Sequence, residues 1–218
     1  MIYLAIDTAT ESCSAALWVD GKMYSRQTSQ ARMHAELILP FIDELLEEAG
    51  ITKKQINGLI LGIGPGAFTG VRIAVAVAQG IALALDVKVI PVSNLQTLAY
   101  KAYQQLNTKL SKNILVATDA RMQEVYTASF KASTNSIQLI DEEVVCKPDS
   151  VNLDNHDAYI GSGFDTYETL KNYKQLYPMG FETNVFSDAK DMLLMVHDQF
   201  EKLAQTIDQI EPVYLRNP

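Results

Sequence analysis

A chain of 218 residues, 48% hydrophobic and 20% charged, can bury one large core or two small ones, which excludes disordered and fibrous classes. Its formal net charge of -8, from 18 Lys and Arg against 26 Asp and Glu, works against gripping nucleic acid directly, because phosphates are neutralised by clustered cations. RNA contact is expected only through a partner, and two cysteines without ligand or disulfide spacing, Cys13 and Cys146, fit packing in a reducing compartment.

Residues 3–6 read as a short apolar strand ending at Asp7, which interrupts the run too early for a signal peptide. Residues 14–19 and 22–27 read as strands joined by Asp20-Gly21, a hairpin signal because both turn positions favour positive φ. From His34 the period lengthens: Leu37, Ile38, Phe41, Ile42, Leu45, Leu46 and Ala49 recur at helical spacing until Gly50. Pro40 lies inside this run, where it removes one helical hydrogen bond and predicts a kink or a start later than His34.

The segment 59–93, LILGIGPGAFTGVRIAVAVAQGIALALDVKVIPVS, is the most informative. It reads as strand, loop, alanine-rich helix from near Val71, and strand. Gly64, Pro65, Gly66 and Gly70 permit a tight turn and a close approach, while the helix start offers free amides and a positive dipole end. The loop lacks the Lys-Ser/Thr ending of a P-loop, so phosphate binding does not follow from it. Residues 73–85 are too short for a membrane span and hold Gln79 and Gly80, so a cytoplasmic protein is expected. This helix is apolar almost all round and needs cover on more than one side. One side faces its sheet; the other faces either the rest of its domain or the Leu37/Phe41/Leu45 helix together with a second molecule.

Ser93 and Gln96 suggest a capping box for a helix to about 105. The polar stretch 107–113 is the expected boundary between a lobe at 1–107 and a lobe at 108–218. Residues 114–118 form a strand ending at Asp119, followed by one at 125–130, a turn at 132–135, and strands at 137–145 and 158–160. A helix at 189–205 is capped by Ser187 or Asp188. Leu-Ala-Ile-Asp at 4–7 and Val-Ala-Thr-Asp at 116–119 echo one another as the halves of a duplicated fold would, and the alternation of elements gives α/β.

IDTATESCSAAL, the run from GPGAFTGVRIAVAVAQG to NLQTLA, DARMQEVY and PVYLR, in that order, resemble the TsaB (YeaZ) family over nearly the whole chain. The resemblance implies a two-lobed actin/hexokinase-like (ASKHA) α/β fold, with duplicated mixed sheets flanked by helices. It implies a non-catalytic, activating subunit for N6-threonylcarbamoyladenosine formation in tRNA. This subunit would dock on the TsaD transferase, be joined by TsaE, form a homodimer in the absence of TsaD, and meet tRNA only through the complex, away from membranes. No cofactor is required by the chain itself, and ATP or ADP would sit at the partner interface. Interface residues implied are His34, Leu37, Ile38, Phe41 and Leu45 on one helix, and Arg72, Val75, Ala76, Ala78 and Gln79 on the next.

In such a fold three strand ends face nucleotide: Asp7-Thr8, Asp119-Ala120-Arg121 and Gly161-Ser162-Gly163. Either backbone amides and Thr8 meet phosphates while Gly161 and Gly163 admit a base or sugar, or small residues merely end strands. The histidine pair of the catalytic relatives falls on Asn94 and Leu98, and His34, His156 and His197 are scattered, so no metal site is expected. Neither Gly-x-Ser-x-Gly nor His-Glu-x-x-His occurs, and no catalytic residue is assigned. The alternative is a stand-alone glycopeptidase-like metallohydrolase or nucleotide hydrolase. Arg121, close to Asp119 and Glu124, makes DARMQEVY either a salt-bridged turn or an acid-base pair.

Overall fold

The structure, a computed structural model, describes residues 1–29, 33–176 and 181–216. The chain opens with β1 (Ile2–Asp7), β2 (Cys13–Val19), β3 (Lys22–Thr28), α1 (His34–Ala49), β4 (Gly58–Gly62), α2 (Phe68–Leu85), β5 (Val89–Val92) and α3 (Asn94–Gln105). It continues through β6 (Lys112–Asp119), β7 (Val125–Ser133), β8 (Ser136–Leu139), β9 (Val144–Cys146), β10 (Ala158–Ile160), α4 (Gly163–Thr166), α5 (Glu168–Leu176) and β11 (Phe181–Glu182). Two further helices, α6 (Ala189–Val196) and α7 (Phe200–Leu203), precede an irregular C-terminal segment.

These elements form two units, Met1–Asn94 with Ser187–Val213, and Leu95–Phe186 with the segment from Tyr214. The boundary therefore differs from the single cut at 107/108. Residues after Ser187 return to the first sheet because Ala189, Met192, Leu193 and Val196 cover the face made by Tyr3, Ala5, Ala16 and Ile60.

In the first unit the strand order is β3-β2-β1-β4-β5, with β1 antiparallel to β2 and parallel to β4. Period-two alternation sends Leu4, Ile6, Leu59 and Leu61 into the core formed with α1 and α2, on the face opposite α6. Asp20 and Gly21 hold the expected positive φ, 46° and 98°. Helix α1 begins at His34 even though Pro40 lies inside it. Buried Ile38, Ile42, Leu45 and Leu46, at about 1.5–3 kcal/mol each, outweigh a proline cost of about 3 kcal/mol.

Helix α2 begins at Phe68 rather than near Val71, and its 18 residues are long and apolar enough to cross a membrane by length and composition. Val71, Ala74, Val75, Ala78 and Ala82 are instead packed in the core of its own unit.

The second sheet repeats the plan: β11-β10-β6-β7-β8, with β6 antiparallel to β7 and parallel to β10, and β9 beside the start of β7. The expected strand at 137–145 is split. Its halves pair with opposite ends of β7, Leu139 with Phe130 and Cys146 with Val125, so the exposed residues Ile140, Asp141 and Glu142 must bridge them. The expected helix at 189–205 breaks into α6, a 3₁₀ turn at His197–Gln199 and α7, which brings Phe200 to stack on Tyr3 at 4.4 Å. Asp188 caps α6, accepting from the Asp191 amide at 2.9 Å. The short helices α4 and α5 were not anticipated; α5 buries Leu170 amid polar neighbours, too weak a period to read.

Candidate functional site

At the end of β1 the Asp7 side chain is fully buried and every part of it is engaged. Its Oδ1 accepts from the Ala9 amide at 3.0 Å, Asn94 Nδ2 lies 3.0 Å from both carboxylate oxygens, and Ser187 Oγ donates to Oδ2 at 2.7 Å. Asn94 Nδ2 also donates to Ser187 Oγ at 2.6 Å, and Asn94 Oδ1 accepts from the Gly64 amide at 2.8 Å. Burial pushes the Asp7 carboxyl above its ordinary 3.8; the Ala9, Asn94 and Ser187 donors oppose that, and nearby Asp188 reinforces it. Asn94, weighed in the sequence only as a failed metal ligand, is thus the hub that ties Asp7 to the glycine loop. Leu98 is buried.

Thr8, expected to face phosphate, is buried and donates to the Gly70 carbonyl at 2.6 Å. The Ala67 amide donates to the Ala9 carbonyl at 2.7 Å. The glycines serve this contact: a Cβ on Gly66 would lie 2.1 Å from the Ala9 carbonyl oxygen, and one on Gly70 would lie 2.0 Å from that of Thr8. What comes close to the loop is the chain's own β1–β2 connection.

In the second unit Asp119 accepts from the Arg121 amide at 2.8 Å and from the Tyr167 hydroxyl at 2.6 Å, and pairs with the Arg121 guanidinium at 3.0 Å. Burial, then the Asp119 contact, push the Tyr167 phenol up to about 12. Gly161, at φ 121°, and Gly163 let the chain pass the Ala117 carbonyl, which a Cβ would meet at 2.3 and 2.9 Å. Packing on β6 accounts for both glycines. Glu124 pairs with Arg216, which no local spacing connects to this turn. Among the described residues no three His, Cys, Asp or Glu side chains gather as a metal would require.

The helices α1 and α2 sort the remaining candidates. Ile38, Leu45, Val75 and Ala78, expected at an interface, are buried in the core of the first unit. Leu37 and Phe41 are half-buried against that core, and half-buried His34 places Nε2 2.9 Å from the Thr10 carbonyl. Arg72, Ala76 and Gln79 are exposed along α2, together with Gly80, Leu83 and Ala84. The Arg72 guanidinium lies 3.7 Å over the exposed Phe68 ring.

A family model described as TsaD: tRNA N6-adenosine threonylcarbamoyltransferase matches residues 25–213, which sets the class: a TsaD-type α/β protein of two repeated mixed sheets. The tRNA threonylcarbamoyladenosine biosynthesis protein TsaB of Escherichia coli strain K12 is 38% identical over 100% of this chain and 95% of its own length. That of Haemophilus influenzae is 35% identical over 98% and 93%. The solved structure of YeaZ from Pseudomonas aeruginosa has a TM-score of 0.85 and 33% identity, over 98% of this chain and 99% of that one. A crystal structure described as an uncharacterized protein with similarity to peptidase YEAZ, from the same organism, has a TM-score of 0.86 at 33% identity. The chain belongs to the TsaB family.

Proposed function

We propose that this chain is a non-catalytic, activating subunit in tRNA threonylcarbamoyladenosine formation, and that it docks on the TsaD transferase through α1 and α2. The observation that supports this reading is the outward face of α2. Arg72, Ala76, Gln79, Gly80 and Leu83 line an apolar helix whose opposite side is already filled by its own core. Small residues there allow a partner helix to approach to about 8 Å. A Cβ on Gly80 would meet nothing within 4 Å, so no contact inside the chain calls for glycine at that position.

Docking acts on TsaD by favouring one of its conformations, so the gain in activity is limited by the difference in affinity for the two. TsaE joins the pair, ATP or ADP sits at the partner interface, and tRNA is met only through the assembly, in the cytoplasm and away from membranes. Without TsaD the same face joins two copies of the chain. In this reading the chain needs no cofactor of its own, and the engagement of Asp7 by Asn94 and Ser187 and of Thr8 by Gly70 supports it.

The test is transfer of threonylcarbamoyl to tRNA by TsaD in the presence of the wild-type chain or of Ala76→Arg. The variant should fold normally and fail both to co-purify with TsaD and to support transfer. Full transfer by a variant that no longer binds TsaD would contradict the proposal. One related structure carries a peptidase description, so the lone chain is also assayed for peptide and nucleotide hydrolysis. Turnover there would favour the stand-alone hydrolase.

A further inference from the structure

DARMQEVY and Arg216, the last residue of PVYLR, are far apart in sequence and meet in the second unit. Between β6 and β7 the chain turns through Ala120–Glu124, and Arg121, Met122 and Gln123 all hold left-handed backbone, with φ of 61°, 53° and 61°. None is glycine. A side chain in this conformation crowds its own carbonyl, so left-handed residues normally occur singly and a run of three must be held from outside.

Part of the hold is local. The Ala120 amide donates to the Glu124 carbonyl at 2.9 Å, the Glu124 amide to the Arg121 carbonyl at 3.0 Å, and Asp119 accepts from Arg121. The rest comes from one guanidinium in the C-terminal segment. Arg216 Nη2 donates to the Ala120 carbonyl at 3.2 Å and to the Glu124 carboxylate, and Nη1 reaches Met122 Sδ at 3.1 Å. It grips the first, middle and last residues of the turn at once, a task suited to a planar fork of donors. Meanwhile Met122 and Arg121 project into solvent.

We infer that Arg216 is a clasp on a strained, two-state turn. With the guanidinium seated, residues 121–123 keep their left-handed presentation. When it is withdrawn, the turn relaxes to ordinary backbone and the exposed peptide bond after Arg121 can take the extended form that a protease binds. Anything that captures or removes the C-terminal segment therefore changes the shape of the β6–β7 turn.

The test uses the full chain under native conditions, with backbone φ at 121–123 measured by NMR couplings and the rate of trypsin cleavage after Arg121 measured alongside. Arg216→Ala should lose the positive φ values and be cut roughly tenfold faster, the change expected when a charge-assisted fork is lost. Arg216→Lys keeps the charge without the fork and should fall between Arg216→Ala and wild type. Gln123→Gly relieves the crowding without touching a group that Arg216 grips, so it should be cut more slowly than wild type, and it should restore slow cleavage when combined with Arg216→Ala. Unchanged φ and cleavage in Arg216→Ala, or faster cleavage in Gln123→Gly, would overturn the inference. Should Arg216→Ala fail to fold, Arg216→Lys and Gln123→Gly give the same decision.

Discussion

Asp7 and Asp119 end equivalent strands of the two sheets, and each accepts the amide hydrogen two residues downstream, from Ala9 at 3.0 Å and from Arg121 at 2.8 Å. Their other partners differ in kind. Asp7 meets only neutral donors, Asn94 and Ser187, whereas Asp119 meets the Arg121 guanidinium. The repeated fold has thus placed the same carboxylate in two electrostatic settings, and burial gives the one at Asp7 a pH cost.

That cost sets the first expectation. The folded-state carboxyl of Asp7 lies above its ordinary 3.8, so the native state holds this proton more tightly than the unfolded chain does. Its contribution is fully present below pH 3.8 and is lost as pH rises through the folded value. Chemical denaturation of wild type and Asp7→Asn across that window should show wild type losing ground to the variant as pH increases. Asn94→Ala removes a donor from the buried carboxylate and should cost about 1–3 kcal/mol at neutral pH. A flat difference between wild type and Asp7→Asn from pH 4 to neutrality would refute the sign.

Glycine substitutions separate internal packing from outward packing. Gly66→Ala and Gly70→Ala drive a methyl into backbone carbonyls at 2.1 and 2.0 Å, and should each destabilise by about 3 kcal/mol or more. Gly80→Ala meets nothing and improves helix propensity, so the lone chain should gain about 0.5–1 kcal/mol while binding to TsaD weakens. Thermal melts together with a binding titration check both halves, and tighter binding by Gly80→Ala would remove the reason for a glycine there.

Two neighbouring alanines on α2 should behave oppositely. Ala78→Arg buries an unpaired charge in the core and should cost more than about 4 kcal/mol, leaving little folded protein. Ala76→Arg lies on the exposed face and should change stability by less than about 0.5 kcal/mol. Circular dichroism melts distinguish them before any partner is added.

The cysteines should react in a fixed order. Burial, then the Asp7 charge, push the fully buried Cys13 thiol up to about 11, so almost none of it is thiolate at neutral pH. Cys146 is half-buried, and its thiol is raised as well, by burial and then by Glu124. Under native conditions a disulfide reagent should label Cys146 first, and Cys13 only on unfolding, as peptide mapping would show.

Much of this architecture was legible in local pattern. Asp20-Gly21 announced its hairpin, Gly50 its helix end, and the Leu-Ala-Ile-Asp and Val-Ala-Thr-Asp echo marked the two strands that open equivalent sheets. Relations set by tertiary closure were hidden. No spacing rule links Asp7 to Ser187, or Glu124 to Arg216, because each pair is joined only after the chain has left one unit and returned to it. Helical period alone put Ile38 and Leu45 with Leu37 and Phe41, since a broad apolar stripe does not say which edge is covered by its own sheet. The glycines at 66 and 70 invited a ligand reading because close approach by a ligand and by the chain's own backbone require the same missing side chain.

The decisive measurement is sedimentation of the chain titrated with TsaD, for wild type and Ala76→Arg. If the outward face of α2 serves both pairings, wild type should pass from homodimer to one-to-one heterodimer as TsaD is added, and the folded variant should form neither. A homodimer that binds TsaD without dissociating, or an Ala76→Arg chain that pairs with TsaD as tightly as wild type, would contradict it.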